Sequence, residues 1–345
     1  MGYSASLQAL RRGDEPRFGG KSANLGELLA AGIRVPPGFA LSSEAFAEFA
    51  RGAGLADEIA GALARISGSD DVERIGAAAE TISQAMRFAP LPDAIAGEVA
   101  ASYESLGEGT APPVAVRSSA VGEDSHDATF AGQQESYLWI REAGPVCRAV
   151  RDCWISLYSV PAISYRASRG QDPAEARMAV TVQQMVDAVV SGVMFTCNPT
   201  SGDRSMVAIN ASWGLGLAVV GGEVTPDDYL ISKVTGEVVR ERVHDKPVEY
   251  VPGPEGRGTI RREVALDRSA APCLERETLA SLLEVARRVE RHFGSPQDIE
   301  WAIDRSGAIF VVQTRPVTAL GKRASEPLAG DALSLVMKTF GAGPR

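Results

Sequence analysis

The sequence is poor in histidine and cysteine, carries no excess of positive charge and lacks any long apolar run. Each shortage removes a class of function. Only His126, His244 and His292 occur, so chemistry that needs an imidazole is confined to three positions. The four cysteines, Cys147, Cys153, Cys197 and Cys273, form no C-x-x-C pair and have no histidine at zinc-finger spacing. That argues against a structural metal frame or disulfide scaffold and fits reduced thiols in the cytosol. With 35 Lys and Arg against 44 Asp and Glu the net charge is −9, the reverse of the basic footprint of a general nucleic-acid binder. A nucleotide site built from local basic groups stays compatible with it. No segment approaches the ~18 uninterrupted apolar residues of a membrane helix, and the N-terminus has no apolar signal core. The expectation is a cytoplasmic chain with neither a membrane nor a nucleic-acid partner.

What is present is an ordinary globular composition over 345 residues, 45% hydrophobic and 23% charged, enough for two or three compact units. Leu25, Leu28 and Leu29 fall at helical spacing before Gly32, which sits where a helix end favours positive φ. Residues 54 to 88 and 144 to 169 read as helices. So does the stripe Leu279, Leu282, Leu283, Ala286, Val289 and Phe293. PPVAVRSS, QQESYLWI, ARMAVTVQQMV, SGVMFT and SMVAINAS read as strands, being β-branched with Gly, Pro, Ser or Asn at their boundaries. Residues 321 to 345 shift to Gly, Pro, Ala and Ser and read as a tail, with one short amphipathic helix that could dock on a partner.

The segment DIEWAIDRSGAIFVVQTRP carries the sharpest chemical signal. Two alternating runs, 298 to 303 and 308 to 313, flank the turn-forming Asp304, Arg305, Ser306 and Gly307, which predicts an antiparallel hairpin. A two- or four-residue connection places Glu300 opposite Val311 and Asp298 opposite Gln313. Asp298, Glu300, Gln313 and Arg315 then share one face, with Ile299, Trp301 and Ile303 on the other. Carboxylates, an amide oxygen and a guanidinium together suit a Mg²⁺–triphosphate group; the bland alternative is a solvated polar strand face. A three-residue loop would shift the register and turn Gln313 and Arg315 away. A second cluster, VAVRSSAVGEDSHDATFAGQQES, ends a strand at Arg117 and continues into small and hydroxyl residues with Gly122 and Gly132. It reads as a phosphate-approaching loop or as a flexible surface loop. FGGKSANLGEL is not a P-loop, because Glu15 stands where the first glycine belongs and no buried strand precedes it. Lys21 remains a candidate phosphate ligand at a helix start, or an exposed lysine.

In order along the chain, GGKSANLGEL with VPPGFAL, VAVRSSAVGED with TFAGQQESYL, VQQMV, SGVMFTCNP, WGLG with TPDDYL, and QDIEWA with VVQTRP resemble the nucleotide-binding domain of the pyruvate phosphate dikinase and phosphoenolpyruvate synthase family. Rifampin phosphotransferase and split enzymes such as phenylphosphate synthase look related to the same group. The resemblance implies a mixed α/β, ATP-grasp-like fold of two lobes, about 1–190 and 191–320, clamping ATP and Mg²⁺, or Mn²⁺ in its place. It implies that Lys21 and Arg117 hold phosphates, that Gly132 belongs to the covering loop, and that Gln183, Gln184 and Met185 lie at the adenine and its hinge. Asp298, Glu300 and Gln313 would face metal and phosphates, with Glu300 and Gln313 as metal ligands and Arg315 on a terminal phosphate. Leu217 departs from the family, which often has a carboxylate there, and His126 is unexpected in its loop.

The family passes the pyrophosphoryl group of ATP to a histidine in a small-residue motif, and none of the three histidines has that context. The resemblance therefore implies a phosphohistidine-carrying domain or subunit in trans, release of AMP, and a small-molecule final acceptor. Lys21, Arg117 and Arg315 would offset the charge of the transferring group. Two other readings stay open: a self-contained ATP-grasp ligase that makes an acylphosphate and ADP, and a nucleotide-binding regulatory subunit without turnover.

Overall fold

The structure is a computed structural model that describes residues 2–317 apart from 53, 67–70, 108, 121–135 and 173–175. Gly132, His126, the loop around them and the expected tail helix lie outside the described residues. The chain divides into two compact units: Met1–Ala23 with Pro37–Met185, and Asn24–Pro36 with Val186–Arg345.

The elements to the end of the first unit are β1 (Ser4–Ser6), α1 (Glu15–Ala30), β2 (Gly38–Leu41), α2 (Ser43–Gly52), α3 (Leu55–Leu63), α4 (Val72–Phe88), α5 (Asp93–Gly107), β3 (Val114–Ala120), β4 (Ser136–Ile140), α6 (Ala143–Ser156), α7 (Val160–Ser168) and β5 (Met178–Gln184). The sheet is antiparallel in the order β1-β2-β5-β3-β4. Its central strand β5 is buried from Met178 to Gln183, which is why MAVTVQ reads as a near-continuous apolar run instead of alternating. Helices α2 to α7 pack over one face in a core that includes Phe49, Ile75, Ile82, Met86, Val99 and Trp154, with Trp154 stacked on Phe49 at 5.3 Å between ring centroids. Each such side chain contributes roughly 1.5–3 kcal/mol on full burial.

The remaining elements are β6 (Ala188–Phe195), β7 (Met206–Trp213), α8 (Leu217–Val220), β8 (Asp227–Ser232), β9 (Val238–Arg242), β10 (Val248–Pro252), β11 (Thr259–Glu263), α9 (Leu266–Ser269), α10 (Arg276–Phe293), β12 (Gln297–Asp304) and β13 (Ile309–Pro316). Six of these strands form an antiparallel sheet in the order β13-β12-β6-β7-β8-β9, and β10 with β11 makes a separate ribbon. Helix α10 buries Leu279, Leu282, Leu283, Ala286 and Val289 of the stripe its 3.6-residue spacing predicts, while Phe293 in its last turn is only half-buried. Helix α1 ends as expected: Gly32 takes φ +68°, and the Ile33 N–H reaches back to the Leu28 carbonyl at 3.0 Å. The sheets and helices establish the mixed α/β class. Among the described residues no helix is long and apolar enough to cross a membrane.

Candidate functional site

In the first unit the candidate side chains Lys21 and Arg117 lie where α1 meets β3. Gly19 breaks α1 at φ 74°, ψ 159°, so Lys21 stands in the first turn of the helix that resumes. A Cβ on Gly19 would lie 2.2 Å from Ser119 Oγ and 2.5 Å from the Ser119 carbonyl oxygen, so only glycine lets α1 approach the strand this closely. Lys21 is buried and its Nζ donates to the Ser118 carbonyl at 3.0 Å. The next residue, Ser22, shares a hydrogen bond with Thr181 on β5 at 2.7 Å. Arg117 is half-buried on β3, directly opposite Thr181. The Oγ atoms of Ser118 and Ser119 are buried with no hydrogen-bond partner among the described residues. Lys21 and Arg117 therefore belong to one strand–helix junction.

Gln183 and Gln184 close β5, and Met185 is the last residue of the unit. The Gln184 N–H donates to the Pro37 carbonyl at 2.8 Å and the Met185 N–H to the Pro113 carbonyl at 2.9 Å. The Gln184 side-chain amide is turned to the Leu106 carbonyl at 2.7 Å. The backbone N–H groups of Gln184 and Met185 are thus both taken up within the unit.

In the second unit, β12 and β13 pair as a hairpin, but not in the expected register. Asp298 lies opposite Arg315 and Glu300 opposite Gln313, whereas the turn geometry had placed them opposite Gln313 and Val311. The cause is twofold. Asp304 accepts hydrogen bonds from the Ser306 and Ala308 N–H groups, making a longer turn in which Ile303 pairs with Ile309. A bulge between Glu300 and Trp301, with Val312 as the extra residue, then shifts the pairing again. The Val311 N–H bonds the Arg34 carbonyl at 2.9 Å. The two changes compensate, and the four polar side chains share a face.

On that face Arg315 Nε donates to Asp298 Oδ2 at 3.0 Å. Asp298 is 4% exposed, and burial pushes its carboxyl up to about 6, against the pull of the Arg315 charge. Asp298 Oδ1 and Gln313 Oε1 are buried without a hydrogen-bond partner among the described residues. Buried oxygens left unpaired cost the fold about 1–3 kcal/mol each unless something fills them. Together with half-buried Glu300 they form a set of hard oxygen donors beside a guanidinium. Among the described residues no group of three or more His, Cys, Asp and Glu could hold a metal ion alone. Such a donor set fits Mg²⁺, which usually takes one or two carboxylates and completes its shell with water and phosphate oxygens.

Other conspicuous residues are bonded to their own chain. Asp227, from the TPDDYL segment, is fully buried and its Oδ1 accepts from Lys246 Nζ at 2.6 Å and from the His244 N–H at 3.0 Å. Its Oδ2 accepts from the Cys273 N–H at 2.8 Å. Nothing in sequence spacing links Lys246 to Asp227. His244 Nδ1 meets the Pro226 carbonyl at 2.8 Å, and His292 Nε2 meets Glu27 at 2.8 Å.

The second unit thus sets a half-buried arginine on a buried carboxylate, with spare oxygen donors beside them. The chain belongs to the family described as pyruvate phosphate dikinase, AMP/ATP-binding domain, which matches residues 15–332. It is 36% identical to a probable phosphoenolpyruvate synthase of Pyrococcus horikoshii, over 98% of this chain and 46% of that protein. It is 39% identical to a probable phosphoenolpyruvate synthase of Methanothermobacter thermautotrophicus, over 99% of this chain and 50% of that one. The chain thus spans about half the length of these curated relatives. Among solved structures, an L-amino acid ligase from Bacillus licheniformis matches 59% of this chain at 13% identity with a TM-score of 0.25, too low to bear on the fold.

Proposed function

We propose that this chain is the ATP-binding part of a dikinase-type phosphotransferase. It would bind ATP with Mg²⁺, pass the pyrophosphoryl group to a histidine on a separate domain or subunit, and release AMP. A small-molecule final acceptor would take phosphate from that histidine. The observation that carries this reading is the pair of buried oxygens without a hydrogen-bond partner among the described residues, Asp298 Oδ1 and Gln313 Oε1, beside Arg315 in a chain of the AMP/ATP-binding family. The names of the longer relatives supply the type of reaction.

In this reading Lys21 and Arg117 hold phosphate oxygens, and Gln183, Gln184 and Met185 lie along the adenine. Glu300 and Gln313 would hold the divalent ion, which supplies neutralisation of triphosphate charge. Arg315, oriented by Asp298, bonds a terminal phosphate. These groups act by positioning and by offsetting charge as the phosphoryl group transfers, with no covalent step on this chain. The nucleophile is the partner's histidine.

The test is product analysis with purified chain, Mg²⁺ and ATP labelled in the β-phosphate, in the presence of host lysate. The expected result is an acid-labile label on a histidine of another protein, with AMP released. Formation of ADP without a labelled protein would instead establish the ligase reading. Glu300→Ala should abolish AMP formation while the chain stays folded, and wild-type turnover in that variant would remove Glu300 from the site.

A further inference from the structure

The functional face of the hairpin exists in only one of two neighbouring registers. On the turn side of the bulge Ile303 pairs with Ile309. Continued without the bulge, that register would set Glu300 opposite Val312 and Asp298 opposite Thr314. Because side chains alternate, Gln313 and Arg315 would then point to the face opposite Glu300 and Asp298. A one-residue slip is therefore enough to dismantle the site while leaving both strands paired.

The face behind the site carries the polar contacts that hold the working register. Gln297 is 0% and Thr314 1% exposed, and the Thr314 hydroxyl donates to Gln297 Oε1 at 3.2 Å across the strands. The Gln297 amide is fixed in turn: its Nε2 donates to Ser295 Oγ at 3.0 Å and to the Ser295 and Pro296 carbonyls, both at 3.2 Å. Its backbone N–H donates to Thr196 Oγ1 at 2.8 Å, and the Thr196 N–H returns to the Gln297 carbonyl at 2.9 Å. Asn24 Nδ2 donates to the Thr314 carbonyl at 3.3 Å. Thr314 stands between Gln313 and Arg315, and Gln297 precedes Asp298. In the slipped register Thr314 would face the site instead, out of reach of Gln297. The hydroxyl–amide bond can form only when the site is assembled.

We infer that Gln297 and Thr314 are positioning residues, a cross-strand register lock that keeps Gln313 and Arg315 on the same face as Asp298 and Glu300. The inference rests on the nucleotide reading of that face for its effect on ATP, but not for its effect on the strands.

Thr314→Val keeps the branched shape and deletes the hydroxyl, and Thr314→Ser keeps the hydroxyl. Two measurements on the full chain separate the claims: hydrogen exchange of the peptide covering 309–317 without nucleotide, and the Kd for ATP with Mg²⁺. For Thr314→Val we expect cooperative unfolding to persist, with exchange in that peptide faster and ATP bound more weakly, each by about tenfold, the effect of losing one buried hydrogen bond. Thr314→Ser should return both to within about threefold of wild type. Gln297→Met removes the amide from the other strand and gives the same readout should Thr314→Val not fold. Wild-type exchange in a folded Thr314→Val chain overturns the lock. Faster exchange with unchanged ATP affinity overturns its link to the site. If the wild-type chain binds no ATP, the nucleotide reading fails and the exchange experiment alone decides the lock.

Discussion

Asp227 at the start of β8 and Asp298 near the start of β12 are both buried, and each meets a cation, Lys246 at 2.6 Å and Arg315 at 3.0 Å. Their remaining bonds differ. Both oxygens of Asp227 are occupied, by Lys246 and the His244 N–H on one side and the Cys273 N–H on the other, and its partner Lys246 is itself 0% exposed. Asp298 uses one oxygen, and its other has no hydrogen-bond partner among the described residues. A carboxylate completed by its own chain serves the fold, tying β8 to two connecting segments. One left incomplete in an equally buried place is what the proposed function reads as an acceptor for a ligand. Both aspartates come from equally conspicuous motifs, so only the bond inventory separates their roles.

The largest expected effect tests the completed pair. Lys246→Met removes the cation and leaves Asp227 as an uncompensated buried charge, which costs about 3–5 kcal/mol. Chemical denaturation should show this as a lower midpoint. A loss under ~1 kcal/mol, the range of an exposed pair, would mean that Lys246 does not complete Asp227. Arg315→Ala should cost less, about 1.5–3 kcal/mol, the worth of a hydrogen bond to a charged group. The carboxyl it strands, already pushed to about 6, takes up a proton readily. Arg315→Ala should nevertheless remove ATP-dependent turnover, whereas Lys246→Met should affect turnover only through the folded fraction. Equal loss of specific activity per folded molecule in the two variants would erase the distinction.

Much of this was legible in the sequence, and the gaps have physical causes. The α10 stripe and the strands β3, β5, β6 and β7 follow from local periodicity, which depends only on neighbours along the chain. The shared face of Asp298, Glu300, Gln313 and Arg315 follows from alternation, but the register does not. It is decided by the Asp304 turn, by the bulge, and by the Val311 N–H turning to Arg34, a residue far away in sequence. The Lys21 bond to the Ser118 carbonyl is unreadable for a similar reason, since a backbone acceptor leaves no residue-type signal. The need for glycine at position 19 arises only when α1 lies against Ser119. The allocation of Asn24–Pro36 to the second unit has no compositional mark. Asp227 was visible only as part of TPDDYL, because its partners lie in segments that spacing cannot join.

The smallest effect is the most discriminating. Asp298→Asn keeps the shape of the side chain and an oxygen for Arg315 while removing a charge that burial disfavours. The folded-state value of about 6 lies above the ordinary aspartate value near 3.9. Between those limits the folded chain holds a proton that the unfolded chain has released, so wild-type stability falls as pH rises from about 4 to about 6 and the penalty is complete above that. Asparagine has no such proton. Measured against wild type without nucleotide, Asp298→Asn should therefore gain on the order of 2 kcal/mol in relative stability between pH 4 and pH 7. At neutral pH it should unfold within about 1 kcal/mol of wild type, because the removed burial penalty offsets the weakened bond to Arg315. A stability difference that stays flat with pH would show that Asp298 is settled by its own chain, as Asp227 is, and the contrast between the two would collapse.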